Sequence, residues 1–196
     1  MERRIRNVAV AVLLGVAALT QSGCAVVAVG AAGTVAAVSA NDRRTVGTQL
    51  DDTNIAGRVA YQLALVEALR ANANIRVEVY NSVVLLTGQA PTQRLRQLAV
   101  DATQKVENIS KIHNQIRIGS PATASTQAND IWIASKVRAQ FVTDERVPTL
   151  NVSVVVEDAE VFLMGRLTTA EANAAVDVAR NVKGVKKVVR AFELKS

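Results

Sequence analysis

One half of this chain repeats the other. Asp52-x-x-Ile55-Ala56-x-Arg58-Val59 returns as Asp130-x-x-Ile133-Ala134-x-Lys136-Val137 at an offset of 78. Asn74-x-x-Val77 returns as Asn151-x-x-Val154, and Val84-x-Leu86-x-Gly88 as Val161-x-Leu163-x-Gly165, both at 77. Val100-Asp101 and Val106-x-x-Ile109-x-x-Ile112 return at 76 as Val176-Asp177 and Val182-x-x-Val185-x-x-Val188. An offset that drifts one residue at a time means one fold used twice. Gly119–Ala128, rich in small and polar residues around Pro121, separates the copies.

Each copy reads helix, strand, strand, helix, strand. Ile55, Val59 and Leu63 recur at helical spacing, whereas Ile75, Val77 and Val79 alternate with Arg76, Glu78 and Tyr80. Asn81-Ser82 and Asp158-Ala159 fit two-residue hairpin turns, although neither is the favoured Asn-Gly pair. Gly88 and Gly165 are expected to end the returning strands at a sharp turn, and Pro91 to occupy the first turn of the next helix. The third strand, Ile112–Ile118 or Val188–Leu194, follows a helical crossover, so it should lie parallel to a neighbour. The expected class is α+β: two tandem αββαβ domains, each a three-stranded mixed sheet with two helices on one face.

The start of the chain is of another kind. Three arginines in Met1–Asn7, an apolar run Val8–Leu19 and the small polar Thr20–Gly23 describe an export signal. Twelve apolar residues are too few to span a bilayer, which takes about 20. Ser22-Gly23-Cys24 resembles the end of a bacterial lipobox, with Gln21 where Leu is usual. Cys24 is the chain's single cysteine and is the expected lipid attachment site. The alternatives are a conventional signal peptide with an incidental cysteine and a membrane span fused from Val8 to Val38. Ala25, in place of Asp after the cysteine, favours the outer membrane. The expected segments are 1–23 signal peptide, 24–50 lipidated N-terminus and tether, 51–119 first domain, 120–128 linker and 129–196 second domain.

Val84-x-Leu86-x-Gly88, Val161-x-Leu163-x-Gly165 and Val182-x-Gly184-Val185-x-x-Val188 resemble the signatures of the BON domain, a small αββαβ module of bacterial envelope proteins. The first copy departs at Asn108, where the second has Gly184, and Asn tolerates a left-handed backbone. A lipobox followed by two such domains, with Asn129-Asp130-x-Trp132-Ile133 and Val161-Phe162-Leu163-Met164-Gly165, is similar to the dual-BON outer-membrane lipoproteins. That resemblance implies a non-enzymatic, periplasm-facing role that binds anionic phospholipid and supports outer-membrane integrity. It also implies links to cell division and outer-membrane protein assembly.

The residues bear on function through the differences between copies. Trp132 falls where the first copy has Asn54. On a wheel of about 100° per residue, Ile133, Ala134, Val137 and Phe141 form the core stripe and Trp132 points away beside Lys136. An outward Trp next to a Lys suits a membrane interface. Ile131 and Arg138 would widen an anionic-phospholipid contact on one side. Packing of Trp132 against the other domain is the competing reading. Lys183, Lys186, Lys187 and Arg190 form a second basic group, which also suits an ordinary helix C-terminus. The non-core sheet face of the second copy carries Val155, Phe162 and Met164, and the matching face of the first carries Tyr80, Val83 and Leu85. Either the other domain, a partner such as an assembly factor, or self-association would cover them.

Chemistry is sparse. One cysteine and one histidine exclude an internal disulfide and multi-His zinc sites, and no cofactor or metal is expected. His113 and the repeated Asp101 and Asp177 read as surface or structural groups, so no catalytic residue is assigned. Without residues 1–23 the chain keeps 20 basic and 16 acidic residues, a mild excess that favours anionic partners. With 3% aromatics there is no stacking platform for nucleic acid, which export would in any case leave behind. Peptidoglycan or solute binding, and an adaptor for envelope proteins, are the other functions considered.

Overall fold

The computed structural model describes residues 42–195. Cys24, the export signal and the apolar stretch after it lie outside the described residues. Asp42 onward forms one compact unit. Its first half contains α1 (Val46–Leu65), α2 (Glu67–Asn72), β1 (Asn74–Tyr80), β2 (Val83–Ala90), α3 (Gln93–Gln104), β3 (Lys111–Asn114) and β4 (Arg117–Ile118). Its second half contains α4 (Ala124–Thr143), a 3-10 turn (Thr149–Asn151), β5 (Val152–Glu157), β6 (Glu160–Leu167), α5 (Thr169–Arg180) and β7 (Lys187–Leu194). This is the αββαβ order twice, with a short helix, α2, added in the first copy and its last strand split into β3 and β4. Strand order is β1-β2-β3 and β5-β6-β7, antiparallel within each hairpin and parallel across each helical crossover.

Both first helices begin earlier than the repeat indicates. The hydroxyls of Thr45 and Thr123 accept from the amides of Thr48 and Thr126 and cap helices of 20 residues. A side-chain acceptor at this position satisfies one of the amides that a helix start leaves bare. The expected boundary at 51 therefore falls inside α1, and part of the expected linker is the first turn of α4.

The repeated aspartates explain themselves in the hairpins. Asn81 and Ser82 have φ of 51° and 63°, and Asp158 and Ala159 have 52° and 63°. Positive φ at both central residues is the turn that matches strand twist, normally made with glycine. Here a buried carboxylate fixes it instead. Asp52 accepts from the amides of Asn81 and Ser82 at 2.8 Å each. Asp130 accepts from Asp158 and Ala159, also at 2.8 Å each. Asp52 is 4% and Asp130 3% exposed. Each carboxylate thus ties the first helix to the hairpin turn beneath it.

Two expectations about turns are corrected. Gly88 and Gly165 lie inside β2 and β6 rather than ending them, each two residues before the strand's last residue. They are required by close approach: a Cβ on Gly88 would stand 2.0 Å from the Asn74 carbonyl oxygen, and one on Gly165 2.3 Å from that of Asn151. Pro91 is not in the first turn of α3; it precedes the cap residue Thr92. The third strand of the first copy is also interrupted, at Gln115-Ile116, opposite Thr87 and Gly88. Gly88 has φ of +102°, whereas Gly165 at +157° is nearly extended and the partner strand β7 stays continuous.

Each sheet packs one face on its own helices. Ile55, Val59 and Leu63 meet Val84, Leu86, Ala99 and Ala102 in the first core. Ile133, Val137 and Phe141 meet Val161, Leu163, Leu167 and Ala175 in the second. The opposite faces pack on each other: Tyr80 and Leu85 with Phe162, Met164 and Ala191, flanked by Val83, Val155 and Val189. The result is four layers, helices outside and two sheets within. Polar pairs border this seam. The Gln89 amide donates to Glu157 at 2.7 Å and to Asp158 at 3.1 Å, Arg117 pairs with Asp158 at 3.0 Å, and Ser153 donates to Glu78 at 3.0 Å.

Asp42–Arg44 crosses the same seam. Arg43 donates its amide to the Asn151 side chain at 2.7 Å and its guanidinium to both Glu171 oxygens at 2.6 and 2.7 Å. Arg44 pairs with Asp42 and Asp52, each at 2.9 Å, and stacks 4.0 Å over the Tyr80 ring. Bonds from Arg43, outweighing the opposing effect of burial, bring the Glu171 carboxyl from 4.5 to about 2.

Two outcomes follow from these contacts. Asp130→Ala leaves two turn amides without their acceptor and should cost about 1–3 kcal/mol for each, read by chemical denaturation. A carboxyl with a lowered folded-state pKa stabilises fully above its unfolded value, and that contribution fades as pH falls from about 4.5 toward 2. Glu171→Gln should therefore flatten that part of a melting-temperature profile against pH.

Candidate functional site

The core stripe of α4 decides what faces out. Ile133, Val137 and Phe141 are fully buried, which turns Trp132 and Lys136 away from the core. Trp132 is 46% exposed, and the Lys136 ammonium stands 5.5 Å from its ring centroid. Ile131, beside it in sequence, is more exposed still.

The ring rests beside the turn that leads into β7. A Cβ on Gly184 would be 3.8 Å from the Trp132 ring and 3.3 Å from the tip of Ile133. Gly184, with φ of +97°, lets this turn lie close to the helix. Two bonds hold the region together. Asp130 fixes the Asp158-Ala159 turn to α4, and the Lys186 amide donates to the Ala159 carbonyl at 2.9 Å. The exposed Lys183 and Lys186 therefore flank the same end of the domain as Trp132 and Lys136.

The two basic groups that are separate in sequence are thus partly one. Lys183 and Lys186 join Trp132. Lys187 pairs with Glu160 at 3.6 Å. Arg190 instead lines a cleft of about 640 Å³ with Arg146, Asp177 and Arg180 on the α5 side. Arg138 does not stand free beside Trp132 either: its guanidinium donates to the Val154 carbonyl at 2.6 Å, against the edge strand β5.

The first copy shows the same scaffold without this chemistry. Asn54, Arg58, Glu107, Asn108 and Ser110 stand in the places of Trp132, Lys136, Lys183, Gly184 and Lys186. Asn108 keeps the left-handed turn, with φ of 66°. Arg58 spends its guanidinium on the Glu107 carbonyl at 3.2 Å. A cleft of about 450 Å³ remains there, lined by Asn54, Ile55, Arg58, Ser82 and Asn108.

Val155, Phe162 and Met164 lie in the seam between the two sheets, with Phe162 and Met164 fully buried against Tyr80 and Leu85. Phe162 and Met164 offer no free surface, and Val155 is partly buried at the margin of the seam. Burial, then the nearby Lys111, lowers the pKa of His113. Among the described residues, no group of three His, Cys, Asp or Glu could hold a metal ion, and no helix is long and apolar enough to cross a membrane.

Residues 51–120 and 129–196 each match the BON domain model. The chain is 34% identical over 183 residues to the outer membrane lipoprotein DolP of Haemophilus influenzae, covering 93% of this chain and 94% of that protein. It is 40% identical over 149 residues to a 21 kDa hemolysin of Actinobacillus pleuropneumoniae, 76% of this chain and 77% of the other. It is 27% identical over 146 residues to osmotically-inducible protein Y of Escherichia coli, 73% and 72% respectively. With two copies of the domain and similarity along nearly its whole length to an outer membrane lipoprotein, the chain belongs to the BON domain family.

Proposed function

We propose that this chain is an outer-membrane lipoprotein, anchored through Cys24 and facing the periplasm, whose second BON domain touches anionic phospholipid. Trp132 sits among the headgroups, with Ile131 beside it, and Lys136, Lys183 and Lys186 meet the phosphates. The observation that carries this reading is the half-exposed Trp132 with Lys136 over its ring and the Lys183–Lys186 turn packed beside it, where the other copy has Asn54, Glu107 and Ser110. An aromatic ring at the interface with cations around it is the arrangement that headgroups favour. The relative named as an outer membrane lipoprotein supports the anchor and the location. One domain would bind weakly alone, and the acyl chains supply the effective concentration that makes weak contact sufficient. The role that follows is support of outer-membrane integrity, with division and outer-membrane protein assembly as the processes it would serve.

Trp132 is the single tryptophan, so its fluorescence has one source. The fragment from Asn41 onward should blue-shift with anionic vesicles, not with neutral ones, and the shift should shrink with salt. Lys183→Ala and Lys186→Ala should each weaken binding by about 1 kcal/mol, roughly fivefold. Trp132→Glu removes the fluorophore, so its binding is read by co-sedimentation with the anionic vesicles; it should be abolished while far-UV circular dichroism stays unchanged. Emission that ignores anionic vesicles would remove the lipid reading.

A further inference from the structure

The first copy has a groove at a place that an arginine side chain crosses in the second. Between α1, α2 and β1 runs a groove of about 610 Å³, lined by Ala56, Gly57, Ala60, Leu63, Ile75 and Val77 among others. At the repeat offsets these positions are Ala134, Ser135, Arg138, Phe141, Val152 and Val154 in the second copy. There Arg138 lays its arm toward β5 and donates to the Val154 carbonyl at 2.6 Å, and the larger Phe141 is fully buried. In the first copy Ala60 has no donor to offer the corresponding carbonyl of Val77, and Leu63 is smaller.

The strand beside the groove is an edge. Among the described residues, β1 pairs with β2 on one side only. The other side of an edge strand presents alternate N–H and C=O groups at strand spacing. An occupant that suits this site must bring donors and acceptors at that spacing together with small apolar side chains. A helix keeps its amides for itself, and an acyl chain has none. The second copy shows in addition that a guanidinium on an aliphatic stem complements the carbonyl of this position.

We propose that the groove and the free edge of β1 receive an extended polypeptide segment from another protein. It would add to the sheet as a strand, with apolar residues at every second position facing Ala60, Ile75 and Val77 and a basic residue near the Val77 carbonyl.

The test uses the full chain and a fluorescein-labelled peptide of seven residues, the length of β1, alternating Val and Thr around one Arg. The expected result is a saturable rise in anisotropy, with slowed hydrogen exchange over Asn74–Tyr80. Ala60→Arg should restore the closed arrangement of the second copy and weaken binding at least about tenfold, because an arm that fills the groove competes with the peptide. The second copy carries arginine at this position, so the fold accommodates it, and an unchanged melting temperature checks that. Arg138→Ala should open a second site and raise the stoichiometry. No anisotropy change, binding that survives Ala60→Arg in a folded variant, or equal binding of the same residues arranged at helical spacing would each overturn the proposal.

Discussion

Two carboxylates hold the plan of this protein. A hairpin turn with positive φ at both central residues ordinarily calls for glycine, because a side chain there is strained. The two turns here contain none, and each is held by an aspartate reaching from the neighbouring helix to both turn amides. The pair of bonds satisfies turn amides that are at least partly buried, fixes the turn and ties the helix to the hairpin. From that point the helix stripe, the crossover and the third strand have little freedom. In the second copy the Ala159 carbonyl, fixed by the same turn, receives the Lys186 amide and so brings a basic loop beside Trp132.

Duplication gave the protein a way to solve the problem of a sheet with helices on one side only. A single αββαβ unit would leave Tyr80 and Leu85, or Phe162 and Met164, open to water. Two units bury them against each other. The polar residues around that seam, Gln89, Glu157, Arg117 and Asp158, fix which way the sheets meet, since an apolar face alone specifies no orientation. Arg43 and Arg44 add a strap from the residues just before α1, one arginine engaging each copy. With the sheet faces used internally, what remains for partners is the outer surface, and there the copies diverge. One carries a tryptophan among lysines, the other an open groove beside a bare strand edge.

The sequence by itself determined the number of domains, the order of elements, the helix stripes and the divergence at Trp132. These are readable because a repeat is its own alignment, and because burial at helical or alternating spacing leaves a local pattern. It also marked Asp52, Asp130, Gly88 and Gly165 as paired without telling their purpose. The aspartates serve a turn about thirty residues away in the chain, and the glycines make room for a carbonyl at or just before the start of the opposite strand; neither need is local. Only the tertiary structure decided that Lys183 and Lys186 stand at the same end as Trp132 while Arg138 turns to β5, since the packing of helix, hairpin turn and crossover, not spacing, brings residues fifty apart to one end of a domain. It likewise decided that the open sheet faces meet each other. Apolar residues on a strand state that something must cover them, and the geometry of the folded chain supplies what.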